Sequence, residues 1–84
     1  MSWYINKDHV DGDYAVDAWN GSGNLDYVKQ RCTHKFRMYD DDGELYYEGC
    51  SDDDSSFDPL DDFGMPNAGC TEIKYWNGST WEIL

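Results

Sequence analysis

Carboxylates are the residues of this chain most able to do chemistry, and they are gathered in one stretch. Residues 38–72 hold Asp40, Asp41, Asp42, Glu44, Glu48, Asp52, Asp53, Asp54, Asp58, Asp61, Asp62 and Glu72, with no base among them. Residues 1–37 carry equal numbers of acids and bases, and Lys74 cancels Glu82, so the whole formal charge of −12 arises in that stretch. Grouped carboxylates can hold a hard cation, pass protons, or stand in for phosphates. Each of these uses demands a different arrangement.

A cation site needs ligands that converge, and the consecutive residues Asp52, Asp53 and Asp54 point in different directions. Asp-Asp-Asp-Gly at residues 40–43 looks like part of a calcium loop. Aligning Gly43 with the obligatory glycine, however, puts Met38 at the first ligand position and Gly49 at the bidentate glutamate position. Cys32-x-His34 could give zinc two ligands, with Cys50, Cys70 or His9 completing the set, but there is no Cys-x-x-Cys pair. Asp62-Phe63-Gly64 spells a kinase triplet in a chain too short for that fold. Neither His9 nor His34 sits in a nucleophile motif, and the acids are too many to nominate one acid and one base. The expectation is a protein that is not an enzyme, with no metal and no cofactor.

Phosphate imitation fits the pattern better. Alternate strand residues stand about 6.6–6.8 Å apart, so carboxylates at Asp40 and Asp42, and at Glu44 and Glu48 across Tyr46, would be spaced much like phosphates. Duplex DNA carries one charge per about 1.7 Å of axis, so this acidic stretch matches roughly 20 Å of duplex. A charge this large destabilises a small domain by self-repulsion and exceeds what solubility needs. The expected partner surface comprises Asp40, Asp41, Asp42, Glu44, Glu48, Asp52, Asp53, Asp54, Asp58, Asp61 and Asp62, with Tyr46 and Phe57 as aromatic anchors.

The remaining composition sets bounds. Eighty-four residues make one small domain, 1–84, with little room for an enclosed catalytic cavity. Aromatic residues at 17% set it apart from disordered acidic tails. A pI near 4.1 argues against direct nucleic-acid binding. No apolar run approaches a membrane span and no signal-peptide pattern opens the chain, so the expected compartment is the cytoplasm. Three widely spaced cysteines suit reduced thiols.

The elements that must position these groups follow from periodicity. Lys35 to Gly49 alternates as a β-hairpin, with Asp42-Gly43 as a two-residue turn setting Met38 opposite Tyr47, Arg37 opposite Glu48 and Tyr39 opposite Tyr46. Thr71 to Leu84 reads as a second hairpin about Asn77-Gly78. A three-residue loop over Asn77 to Ser79 is preferred there, pairing Ile73 with Ile83, Lys74 with Glu82 and Tyr75 with Trp81. Asn20-Gly21-Ser22 reads as a turn that could cap a strand over Tyr14 to Trp19. Asn24 caps a short helix with Leu25, Val28 and Cys32 on one face. From Ser51 to Gly69 a long ordered loop is expected, with one helical turn in which Asp58 is the cap and Pro59 the first helical residue. The fold class is α+β, dominated by an antiparallel sheet of two hairpins and a possible extra strand, with one short helix.

Lys35 to Gly49, followed by Phe57 to Thr71, resembles a group of small acidic proteins carried by bacterial phages and other mobile elements. As a class these look like anti-CRISPR and anti-restriction factors. The resemblance implies a DNA mimic that occupies the basic DNA-binding surface of a CRISPR effector or related defence complex in the host cytoplasm. The alternative is a small non-enzymatic binding module that uses exposed aromatics and carboxylates to hold a sugar, a peptide or a basic protein.

Overall fold

The computed structural model describes residues 2–10, 12–20 and 24–84. Its frame is an antiparallel six-stranded sheet of order β2-β1-β4-β3-β5-β6. Three hairpins build it: β1 (Trp3–Asp8) with β2 (Tyr14–Trp19), β3 (His34–Tyr39) with β4 (Leu45–Ser51), and β5 (Glu72–Trp76) with β6 (Trp81–Ile83). Two of these hairpins and β2 match the sequence expectation, and β1 is the addition. The turn read over Asn20-Gly21-Ser22 lies outside the described residues, which include Asn20 but not Gly21 or Ser22. No helix among the described residues is long and apolar enough to cross a membrane.

Period-two alternation sorts each strand onto two faces. Trp3, Ile5, Phe36, Met38, Tyr47, Ile73 and Tyr75 fill one face and form the main core with Leu60 and Cys70. The opposite face begins with a satellite core, where α1 (Leu25–Arg31) sets Val28 and Cys32 against Cys50 and Tyr4. As expected, Asn24 caps this helix, its side chain accepting from the Tyr27 N–H. Beyond α1 no element among the described residues covers that second face.

Helix covers the main core where the sequence suggested mostly loop. The chain is helical from Asp58, where the Asp61 N–H already donates to the Phe57 carbonyl, so Asp58 is a helical residue and not the cap. It continues through a π-helical turn (Leu60–Gly64) into α2 (Met65–Ala68) and stops at Gly69, whose φ of 71° is left-handed. The inward residues Leu60, Phe63 and Gly64 recur at helical spacing and turn Asp61 and Asp62 outward. Phe63 meets Trp3 and Tyr47 edge-on, with ring centroids 5.8 and 4.9 Å away.

Both hairpin turns differ from expectation. Asp40 N–H donates to the Glu44 carbonyl across a three-residue loop that ends in Gly43 at φ 82°, in place of the two-residue turn. A bulge then inserts Tyr46, so Tyr39 faces Leu45, while Met38 opposite Tyr47 and Arg37 opposite Glu48 hold as expected. In the last hairpin the loop is Gly78-Ser79, closed by the Asn77 N–H donating to the Thr80 carbonyl, with the glycine at φ 99°. The Asn77 carboxamide oxygen accepts from the Ser79 and Thr80 N–H groups, which fixes this shorter loop. The pairs are therefore Lys74 with Ile83, Tyr75 with Glu82 and Trp76 with Trp81. A one-residue change of register moves Trp81 off the core face and onto the uncovered face.

Gly49 lies at the centre of β4, flanked by β1 and β3. An added Cβ would stand 2.0 Å from the Tyr4 carbonyl oxygen and 2.7 Å from the Phe36 ring, so backbone has to move. Gly49→Ala is expected to cost more than about 3 kcal/mol, whereas Gly43→Ala, with open space around it and only left-handed strain to bear, costs about 1–2 kcal/mol. Urea unfolding followed by tryptophan fluorescence compares them, and similar midpoints would disprove the close approach at Gly49.

Candidate functional site

The sheet separates the charges of this protein. The segment from Asp52 to Thr71 starts beside Ser2, where the Asp52 N–H donates to the Ser2 carbonyl, and ends where the Thr71 N–H donates to the Tyr39 carbonyl. It therefore crosses the core face from one end of β4 to the other. Asp53, Asp54, Asp58, Asp61 and Asp62 ride exposed on this cover. The β3–β4 tip, with Asp41, Asp42 and Glu44 exposed, stands where the cover ends. Ten carboxylates of the acidic stretch lie on the cover and the tip, and residues 38–73 contain no base to offset them.

Several of these acids also have local structural duties. Asp40 accepts from the Asp42 and Glu44 N–H groups at 2.9 and 2.8 Å, and those bonds, led by Glu44, hold its carboxyl below the usual range. The Asp40, Asp41 and Asp42 carboxylates lie within 4.8 Å of one another, drawn together by that turn. Tyr46 packs at the edge of the core, and the neighbouring Asp40 carboxylate raises the pKa of its hydroxyl. Asp52 accepts from the Ser2 N–H at 3.0 Å and ties down the start of β1, while its other oxygen is buried and has no hydrogen-bond partner among the described residues. Asp53 caps the following turn through the Ser55 N–H and hydroxyl, which lowers its pKa. Asp54 stands 3.8 Å from His34, and Phe57 is 47% exposed.

Glu48 parts from the set assembled by sequence reasoning. Its carboxylate lies on the uncovered face, where Arg37 Nε donates to it at 3.1 Å and His9 Nε2 stands 2.8 Å away. Burial would raise its pKa, but the bonds from His9 and Arg37 outweigh burial and hold it below the ordinary value. Glu72, pairing with Tyr39 and 3.8 Å from Lys74, is on this face too. Carboxylates at Glu44 and Glu48 therefore do not share a face, because the Tyr46 bulge breaks the alternation between them.

The uncovered face carries a feature that sequence reasoning missed. Lys7, Lys35, Arg37 and Lys74, four of the six Lys and Arg residues, project there. A cleft of about 440 Å³ opens among Asn6, Lys7, Lys35, Arg37, Glu48 and Trp81, floored by Gly49 and Cys50. The Arg37 guanidinium lies 4.2 Å over the Trp81 ring, and Lys74 lies 4.8 Å over Tyr39. One legible signal was the placing of bases at positions alternating with buried residues in β3 and β5. The part that was not legible is the bulge after Ile5, which turns Asn6 and Lys7 to the same side.

The three thiols do not converge. Cys32 and Cys50 pack under α1, while Cys70 belongs to the main core across the sheet, which removes the zinc set that would combine them. Burial pushes Cys32 and Cys70 up to about 11, so both are protonated at neutral pH. Comparison of the chain with protein-family models, with curated proteins and with solved structures returned no match.

His9 links the first connection to the sheet. Nδ1 faces Asp13 and Nε2 faces Glu48, and since both partners only accept, the bridge is complete when both ring nitrogens are protonated. Burial works against that charge, yet the bonds to Asp13 and Glu48 prevail and raise the His9 pKa above its ordinary 6.5. The stabilisation from His9 is thus full below pH 6.5 and is lost as pH rises through the raised value. The contribution from Glu48 is full above its ordinary 4.5 and is lost as pH falls through its lowered value. Melting temperatures of the wild type and His9→Gln should differ most between about pH 4.5 and 6.5 and approach each other as pH rises through the raised His9 value. A gap that does not change with pH would mean that His9 acts by packing alone.

Proposed function

We propose that this protein is a stoichiometric inhibitor that presents its acidic side in place of DNA to a basic DNA-binding protein. The observation that carries the reading is the one-sided distribution of charge. Ten carboxylates occupy the cover and the tip with no base among them, a number that corresponds to about 17 Å of duplex. The longest dimension of the molecule is 34 Å, so such a run of charge fits along it. A partner with Lys and Arg set for phosphates is steered toward this side by long-range attraction, and salt weakens the encounter. Exposed Phe57, at the start of the cover, supplies an apolar contact among the charges.

The resemblance of residues 35–49 and 57–71 to small acidic proteins of phages and mobile elements directs the choice of target to a CRISPR effector or related defence complex. In this reading the protein has no catalytic step. It works by mass action, one copy for each DNA-binding surface.

Asp41, Asp42, Asp58, Asp61 and Asp62 are the residues to test, since their carboxylates make no hydrogen bond or ion pair with a described residue. Replacing all of them with Asn should weaken capture of a defence complex from host extract at least tenfold and flatten its dependence on salt. The same change should leave the melting temperature equal or higher, because like charges are removed. Duplex DNA should displace the wild type from the captured complex. A fully active variant, or a partner indifferent to both DNA and salt, overturns the proposal.

A further inference from the structure

From the cleft on the uncovered face we infer a second binding site, for a nucleoside monophosphate or a ligand of the same chemistry: one compact phosphate joined to a flat ring. The inference is independent of the acidic side, which lies across the sheet.

Charge selects the phosphate. Lys7 and Lys35 border the cleft, both are exposed, and neither forms an ion pair with a described residue. The nearest carboxylate of the cleft, Glu48, is already bound by Arg37 and His9. Lys7 and Lys35 thus border the cleft with no carboxylate of a described residue at ion-pair distance, Asp13 feeling Lys7 only as a weaker, longer-range attraction, in a protein whose formal charge is −12. A compact dianion that reaches between them gains charge-assisted hydrogen bonds from both.

The net field limits the size of the anion. A polynucleotide would feel the repulsion of the whole molecule along its length. A single phosphate held within a screening length of about 8 Å responds mainly to its local lysines.

The ring is selected by Trp81. The indole forms one wall of the cleft, half-buried, with the Arg37 guanidinium 4.2 Å over its ring. Trp76, 5.4 Å away between centroids, backs it from the same hairpin. A flat ring that packs against the exposed edge of the Trp81 indole buries apolar surface without ordering a flexible side chain. A volume of about 440 Å³ lies within the range of small-molecule sites.

The test uses the full chain. Adenosine monophosphate, adenosine, inorganic phosphate and a single-stranded oligonucleotide are titrated separately, with calorimetry and tryptophan fluorescence as readouts. The expected result is saturable, sub-millimolar binding of the monophosphate, at least tenfold tighter than adenosine or phosphate alone, with quenching of tryptophan emission. Lys7→Gln/Lys35→Gln should weaken it at least tenfold while the melting temperature stays close to that of wild type. Should that variant fail to fold, amide shifts of Asn6, Lys7 and Lys35 in the wild-type protein on adding the monophosphate report the site directly. No saturation by the monophosphate, shifts confined to other residues, or an oligonucleotide that binds more tightly than the monophosphate would each overturn the inference.

Discussion

Everything in this molecule hangs on the close approach of three backbones around Gly49. β4 joins the second hairpin to the first, pairing with β1 on one side and β3 on the other. At its centre the Tyr4 carbonyl and the Phe36 ring occupy the space where a side chain would stand. Without that approach the first hairpin would have no sheet to join, and a two-stranded unit has little stability of its own in water. The arrangement also brings Ile5, Phe36 and Met38, all essentially inaccessible to water, into one layer.

A sheet built in this way has two faces, and the covering segment settles what each becomes. It reaches the core with Leu60, Phe63 and Gly64, the last so close to Met38 that a Cβ would lie 2.7 Å from its sulfur. Fixing those inward residues places the intervening aspartates outward. The acidic side is thus a by-product of core packing on the cover as much as of composition. It is separated from the bases by a layer of apolar side chains and backbone. In that geometry opposite charges do not cancel locally, and each side keeps its own field. Neutralisation occurs chiefly around Glu48, where Arg37 and His9 join β3, β4 and the first connection.

Much of this was legible in the sequence. Alternating apolar and polar residues from Lys35 to Glu48 and from Ile73 to Ile83 gave the strands, because a half-buried sheet imposes period two. Asn24 ahead of Leu25 and Val28 announced α1 for an equally local reason, the need of free N–H groups for an acceptor. β1 was harder to see, since its alternation breaks at Asn6 and Lys7, where the bulge sits. The helical cover was masked by Asp, Gly and Pro, residues that punctuate loops by local preference but are here overruled by burial of Leu60 and Phe63.

The sequence by itself determined the size of the negative charge, its confinement to residues 38–72, the two later hairpins and the capped helix. Those properties depend on composition and on contacts between near neighbours. Only the tertiary structure decided which carboxylates share a surface, that Glu48 is taken by Arg37 and His9, and that Trp81 stands beside Lys35 on the uncovered face. Facing depends on strand register, and register was settled by single-residue events, the Tyr46 bulge and the Gly78-Ser79 loop, whose energies arise from hydrogen bonds and packing between strands distant in the chain.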